Sequence, residues 1–218
     1  MFSLTEENYL KTIYHLEQEI EGGVNTTSIA EKLETKPSSV TDMVQKLAEK
    51  NLLLYKKYKG AQLTPSGKRI AASVIRKHRL WEVFLVEKLN FQWDEVHEIA
   101  EQLEHIQSEE LVARLDVYLG IPDFDPHGDP IPDVDGKIKD MNTKLLSECE
   151  KEQNVVCVGV KESSSEFLQF LNKMNVSIGT IIKIINKESF DGSMVIEVMN
   201  NQFFISKKTS ENIFINLS

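Results

Sequence analysis

Cysteine is almost missing from this sequence: Cys149 and Cys157 are the only two in 218 residues. Their number and spacing give neither a disulfide framework nor a cysteine-based metal motif. No apolar run approaches the ~20 residues that a bilayer-spanning helix needs. The first eight residues, Met1 to Asn8, lack the basic segment followed by a hydrophobic one that marks a secretory signal. These absences lead us to expect a cytoplasmic protein with no membrane partner. Histidine is scarce as well, with five residues, and four of the six prolines fall between residues 120 and 136. That proline cluster predicts a linker. No internal repeat and no low-complexity tract breaks the chain.

What remains is the composition of a soluble globular protein, 41% hydrophobic and 27% charged. The length suffices for one large domain or roughly two to three small ones. The net charge of −9 hides an asymmetry. Residues 1–80 hold 13 Lys/Arg against 9 Asp/Glu, whereas residues 81–218 hold 12 against 25. Between residues 36 and 80, 11 basic side chains stand against 2 acidic ones, a footprint suited to a polyanion. A solvated basic face would give the same count, so charge alone leaves nucleic acid open.

The periodicity of residues 4–20 predicts an amphipathic helix through Leu10, Ile13, Tyr14 and Leu16, ended by Gly22-Gly23. Thr26-Thr27-Ser28 offers N-caps for a short helix through Leu33. After the turn Glu34 to Lys36, Pro37 suits the first turn of a third helix, with Val40, Met43, Val44 and Leu47 at core spacing. A β-prone run from Leu52 to Tyr58, a turn at Lys59-Gly60 and a return strand from Ala61 to Thr64 follow. Two helices, a tight turn and a basic hairpin predict a winged helix-turn-helix. Its phosphate candidates are Lys36, Lys46, Lys56, Lys57 and Lys59, and Ser38, Ser39, Thr41, Asp42 and Gln45 can reach bases or sugars.

Helices are then expected over about Ser66–Leu89, Trp93–Ile106 and Ser108–Leu119, and a short polar one over roughly 137–152. Beyond it the period changes to that of strands: Val155–Val160, Ile178–Ile185, Ser193–Met199, Phe203–Ser206 and Ile213–Leu217, with a helix at Ser165–Met174 between the first two. Short strands with Asn, Gly and Ser turns predict a small terminal β-barrel. The expected fold is mainly α with a C-terminal small β-barrel.

His97, Glu101, Glu104 and His105 recur at i, i+4, i+7 and i+8, spacing that lines one side of a helix. His78 and Glu82 repeat the one-turn spacing on the helix before. Imidazole and carboxylate together suit a borderline-to-hard divalent transition metal. Alone, the stripe also fits the wet face of an amphipathic helix, since Val96, Ile99, Ala100, Leu103 and Ile106 take the opposite arc. His78, however, projects toward the side of Ile70, Val74, Trp81 and Leu85, with Glu82 at its edge. A carboxylate partly withdrawn from water needs a partner or a cation. If the two helices face each other, histidines and carboxylates from both close around one cation. Two enzyme patterns fit worse. His97-Glu98-Ile99-Ala100-Glu101 has Glu where the zinc-hydrolase motif has its second His, and the di-iron Glu-x-x-His pairs are missing. A hydrolase or oxidase, and a winged helix that ignores metal, stand as the alternatives.

Four segments carry a resemblance: Tyr9 to Tyr14 (YLKTIY), Pro37 to Leu47 (PSSVTDMVQKL), Arg76 to Leu80 (RKHRL) and Glu101 to His105 (EQLEH). Together they resemble the diphtheria-toxin-repressor family of metal-dependent transcriptional regulators, in its three-domain form. The resemblance implies a winged helix-turn-helix over residues 1–72 and a helical metal-binding and dimerisation domain with its linker over 73–136. An SH3-like domain similar to ferrous-iron transport protein A would fill 137–218. It implies a homodimer that binds double-stranded operator DNA when loaded with Mn²⁺ or Fe²⁺, with no small-molecule substrate and no catalysis. Matching family positions give His78, Glu82, His97, Glu101, Glu104 and His105 as ligands. Glu101 stands where the iron-sensing branch has cysteine, which favours the harder Mn²⁺. Asn8 falls where relatives place a methionine or aspartate ligand, and Lys11 replaces a glutamate that serves a second manganese in one branch. Asp125-Pro126-His127-Gly128 matches a linker motif, C-P-H-G, that implies Asp125 and His127 as secondary ligands; Glu162 and Glu166 are further candidates.

Overall fold

The computed structural model describes residues 2–20, 22–56, 59–139 and 143–217. Lys57 therefore lies outside the described residues. Two compact units emerge. The first takes the chain up to His78 with Glu101–Val112 and Pro132–Ile138; the second takes Arg79–Ala100, Ala113–Ile131 and Lys139 onward.

In the first unit, α1 (Leu4–Glu19) opens on a reciprocal cap. Ser3 Oγ accepts from Glu6 N–H at 3.3 Å, and Glu6 Oε2 accepts from Ser3 N–H at 3.2 Å, which satisfies two donors the helix itself leaves open. The predicted stripe Leu10, Ile13 and Leu16 is buried. Helix α2 (Thr26–Lys32) is capped by Asn25, one residue before the expected caps, whose Oδ1 accepts from Ser28 N–H at 2.8 Å. Helix α3 (Pro37–Glu49) starts on its proline and buries Val40, Val44 and Leu47. Strands β1 (Leu53–Lys56) and β2 (Gly60–Leu63) pair antiparallel from Leu53↔Leu63 to Lys56↔Gly60, and Val24 bridges Ala61 as a short third edge. Gly60 is required there: at φ +83°, a Cβ would lie 2.6 Å from Gly23 C and Val24 O. Ile29, Val44, Leu47, Leu53 and Ala61 lie in one core beneath these elements.

Helix α4 (Pro65–Leu89) begins where Thr64 Oγ1 accepts from Gly67 N–H at 3.1 Å. Helix α5 spans only His97–Leu103, and α6 spans Glu109–Tyr118. The expected helix from Trp93 to Ile106 is thus half its predicted length. Residues 93–95 form a turn, as do Glu104 and His105. The Trp93 indole N–H is drawn to Asn172 Oδ1 at 2.7 Å, a contact that local periodicity cannot foresee.

In the second unit, a six-stranded antiparallel sheet runs in the order β3-β8-β4-β5-β6-β7. Its strands are β3 (Lys144–Leu145), β4 (Asn154–Val160), β5 (Ile181–Lys187), β6 (Met194–Val198), β7 (Asn201–Ile205) and β8 (Ile213–Leu217). Helix α7 (Ser165–Lys173) connects β4 to β5, and the short α8 (Lys207–Ser210) precedes β8. Bulges at Cys157/Gly159 and Ile184/Asn186 bend the ladders. The polar helix expected over 137–152 is corrected: among its described residues the chain forms β3, which pairs with β8, and a 3₁₀ turn at Leu146–Glu148. Leu146 and Cys149 are buried in the sheet core, so tertiary packing overrides the local pattern.

Glu6 shows how α1 and α3 are held together. Buried at 2% exposure, it accepts from Lys50 at 2.7 Å and pairs with Lys46 at 2.9 Å. The Lys50 hydrogen bond, opposed by burial and helped by Lys46, holds its carboxyl down at about 2. A depressed acid stabilises the fold above its ordinary 4.5 and loses that effect as pH falls toward 2. Glu6→Gln is expected to cost about 1–2 kcal/mol near neutral pH. Thermal melts of both proteins should differ at pH 6 and converge near pH 2.

Candidate metal centre

The first unit gathers Glu7 and Lys11 of α1, Lys77 and His78 of α4, Glu101 of α5, and Glu104 and His105 of the turn that follows. Glu104 is fully buried, so it is no part of a wet face. Its Oε2 lies 2.6 Å from Lys11 Nζ and 2.7 Å from His78 Nδ1, while Lys11 Nζ also reaches Glu101 Oε1 at 2.6 Å. His105 Nδ1 donates to Glu7 Oε2 at 2.7 Å, and Glu7 Oε1 accepts from Gln107 at 2.9 Å. A carboxylate acceptor on Nδ1 places the ring proton there and leaves the Nε2 lone pair for another partner.

Two buried oxygens of the first unit lack hydrogen bonds among the described residues, and one of them lies beside that ring. Glu104 Oε1 and Asn8 Oδ1 are buried with no hydrogen-bond partner among the described residues. His105 Nε2 lies 3.7 Å from the same Glu104 Oε1. Buried polar atoms are nearly always satisfied by protein, water or an ion. Two oxygens and an oriented imidazole nitrogen are hard-to-borderline donors and fit a divalent transition metal. Glu7 was not foreseen from sequence. The signal was present, since the cap accounts for Glu6 and leaves the adjacent acid without a role.

The second unit holds the remaining predicted ligands. Glu82 is buried, with Oε1 3.5 Å from His97 Nδ1 and Oε2 3.5 Å from His127 Nδ1. Glu82, Asp125 and His127 each offer a ligand atom within 4.8 Å of the others, and all three are buried. His97 is half exposed, at 49%. His127 Nε2 donates to Trp93 O at 2.8 Å, which turns Nδ1 toward Glu82. Asp125 Oδ1 accepts from His127 N–H at 2.8 Å and Asp129 N–H at 3.0 Å, and Arg79 approaches its Oδ2 at 3.5 Å. Residues 125–129 of the proline-rich stretch thus form a hydrogen-bonded turn within the second unit. Gly128, at φ +88°, presses against β4, where a Cβ would fall 2.2 Å from Val158 O.

Burial raises the Asp125 carboxyl to about 7, with Glu82 and Asp129 adding to the effect against Arg79 and His127. For His127, burial opposes the charged form, but the Glu82 hydrogen bond and charge outweigh it and lift the ring to about 9. Glu162 and Glu166 are exposed; Glu162 Oε1 caps Ser164 N–H at 2.9 Å, and neither joins a ligand group among the described residues. His78, Glu101, Glu104 and His105 share contacts in one unit, and Glu82, His97, Asp125 and His127 share them in the other.

Lys36, the N-cap of α3, and Ser38, Ser39, Asp42 and Gln45 on that helix are exposed, as is Lys59 in the hairpin turn. Thr41 is half-buried and donates to Pro37 O at 3.0 Å. Lys46 is 53% exposed but is tied to Glu6, so a phosphate would have to compete for it.

The comparisons with known proteins fall along these segments. Residues 1–61 match the family model of the iron-dependent repressor N-terminal DNA-binding domain. Residues 64–133 match that of the iron-dependent repressor metal-binding and dimerisation domain, and 144–217 match the FeoA domain. The chain is 40% identical over 130 residues to the iron-dependent repressor IdeR of Mycobacterium leprae, 59% of this chain and 55% of that protein. It thus spans little more than half the length of such curated relatives. To the diphtheria toxin repressor of Corynebacterium glutamicum it is 32% identical over 196 residues, 84% of this chain and 85% of that one. A solved manganese-dependent transcriptional repressor in complex with manganese superposes with a TM-score of 0.86 at 30% identity, over 98% of this chain and 100% of that one. The manganese regulator SloR superposes with a TM-score of 0.77 at 33% identity, over 98% of each chain.

Proposed function

The chain belongs to the iron-dependent repressor family that includes the diphtheria toxin repressor, and from that premise we propose that it is a metal-responsive transcriptional repressor. It binds double-stranded operator DNA as a homodimer when loaded with Mn²⁺ or Fe²⁺, and it has no catalytic role. The domains follow the expected boundaries, 1–72, 73–136 and 137–218, a division supported by where the three family models fall. No described helix is long and apolar enough to cross a membrane, in keeping with a cytoplasmic regulator.

One observation carries the reading. Asn8 of α1 and Glu104 beyond α5 each bury an oxygen without a hydrogen bond, and His105 presents an oriented nitrogen. Asn8, Glu101, Glu104 and His105 would hold the metal, which supplies a divalent charge linking α1 to the turn after α5. Glu82, Asp125 and His127, with His97, would hold a second ion. Glu101 offers an oxygen where a thiolate would favour softer ions, and this tilts the choice to Mn²⁺.

The residues of this chain do the rest. Asn8 fixes the N-terminal part of the winged helix, and Glu7 keeps the His105 ring in its ligating orientation. Ser38, Ser39, Thr41, Asp42 and Gln45 of α3 meet the major groove while Lys36, Lys46, Lys57 and Lys59 meet phosphates. Two recognition helices must reach successive grooves ~34 Å apart, so a small change in α1 decides whether both fit. The ion acts as co-repressor only if it binds the DNA-competent arrangement more tightly.

Fluorescence anisotropy tests this with a duplex selected from a random library in the presence of Mn²⁺. Affinity should fall at least about 100-fold when the ion is chelated. Equal affinity with Mn²⁺ and with chelator would overturn the proposal.

A further inference from the structure

Glu101 and Glu104 already hold a cation that belongs to the chain. Lys11 Nζ sits 2.6 Å from an oxygen of each carboxylate and 3.4 Å from His78 Nδ1. It is the only lysine or arginine in α1, and its side chain is 13% exposed. The ammonium is therefore seated inside the acid cluster rather than in solvent. It is surrounded by two carboxylate oxygens and an imidazole nitrogen, the donor types that a divalent ion would take.

We propose that Lys11 is a resident monovalent cation that restricts this cluster to one divalent ion. The proposal rests on the reading above that the cluster binds metal. The charge balance supports it. Glu7, Glu101 and Glu104 bring three formal negative charges, and Lys11 and Lys77, whose Nζ lies 3.9 Å from Glu7, bring two positive ones. One divalent ion changes the formal sum from −1 to +1. A second would raise it to +3 in a cluster where Glu7, Lys11, Lys77 and Glu104 are largely withdrawn from water, and uncompensated charge there is costly. Geometry agrees with charge. Lys11 and His78 occupy Glu104 Oε2, whereas Glu104 Oε1, 3.7 Å from His105 Nε2, has no hydrogen-bond partner among the described residues, and neither has Asn8 Oδ1. Lys11 fastens α1 to α5 from one side of Glu104, and the other side accepts the ion.

Replacing the ammonium by a carboxylate should open the second position, because Lys11→Glu with two divalent ions has the same formal sum as the wild type with one. Equilibrium dialysis with Mn²⁺ and metal analysis should show one more Mn²⁺ per chain in K11E than in wild type. The electron paramagnetic resonance spectrum should gain the signature of two exchange-coupled Mn²⁺ ions. Circular dichroism in Mn²⁺ establishes that K11E is folded. If it is not, Lys11→Met decides: without the competing ammonium, its Mn²⁺ affinity should rise at least about tenfold. Unchanged stoichiometry with no coupled signal in folded K11E, or unchanged affinity in K11M, would overturn the role of Lys11 and leave the metal reading intact. A wild-type protein that binds no Mn²⁺ would overturn both.

Discussion

His105→Ala should reduce Mn²⁺ affinity by more than about 100-fold and remove the metal dependence of DNA binding, while the dimer persists. Of the four residues proposed to hold that ion, Asn8, Glu101, Glu104 and His105, only the ring offers a nitrogen donor. Glu7→Gln is the sharper test. An amide can present its NH₂ to the ring and no longer fixes the proton on Nδ1, although it nearly preserves shape. Loss of an outer partner of this kind costs about 10–100-fold in metal affinity. Isothermal titration with Mn²⁺ should order the proteins as wild type, Glu7→Gln, His105→Ala. Equal affinity for wild type and Glu7→Gln would mean that the 2.7 Å contact between Glu7 and His105 does not orient the ligand.

Metal loading at the second group should depend steeply on pH. His127 binds an ion only as neutral imidazole, yet Glu82 and its other neighbours hold the ring protonated up to about 9. Each ion bound between pH 7 and 9 therefore expels a proton, and affinity should rise about tenfold per pH unit before levelling above 9. The metal-free protein should show the opposite trend. A raised pKa gives stabilisation that is complete below the ordinary 6.5 and disappears as pH rises through 9. For a shift of this size the loss is on the order of 3 kcal/mol. Titrations in the His105→Ala background isolate this group, and Mn²⁺ affinity that stays flat from pH 7 to 9 would contradict it.

Much of this architecture was legible in the residues. The winged helix could be read because each of its elements is short, strongly periodic and correctly punctuated. Pro37 opens α3, Gly60 turns the hairpin, and Leu10, Ile13, Val44 and Leu47 bury one face as their spacing requires. The candidate ligand types were legible too, because acids and histidines one turn apart leave a recognisable pattern. Partners brought together by tertiary structure were not. Nothing local tells that His105 rests on Glu7, 98 positions earlier, or that Lys11 is seated between Glu101 and Glu104. The same limit explains the two helices expected too generously. Trp93 is held by Asn172, and Leu146 is recruited to a sheet core, so long-range contacts displace local preference.

The adjacent acids of α1 face different neighbours. Glu6 grips Lys46 and Lys50 of α3, whereas Glu7 grips His105. Consecutive residues of a helix project about 100° apart, so one rigid turn of backbone carries both attachments. On the function proposed above, the imidazole that would receive the ion and the segment that would meet the double helix are joined by a strut one residue long. A shift at one end should therefore displace the other.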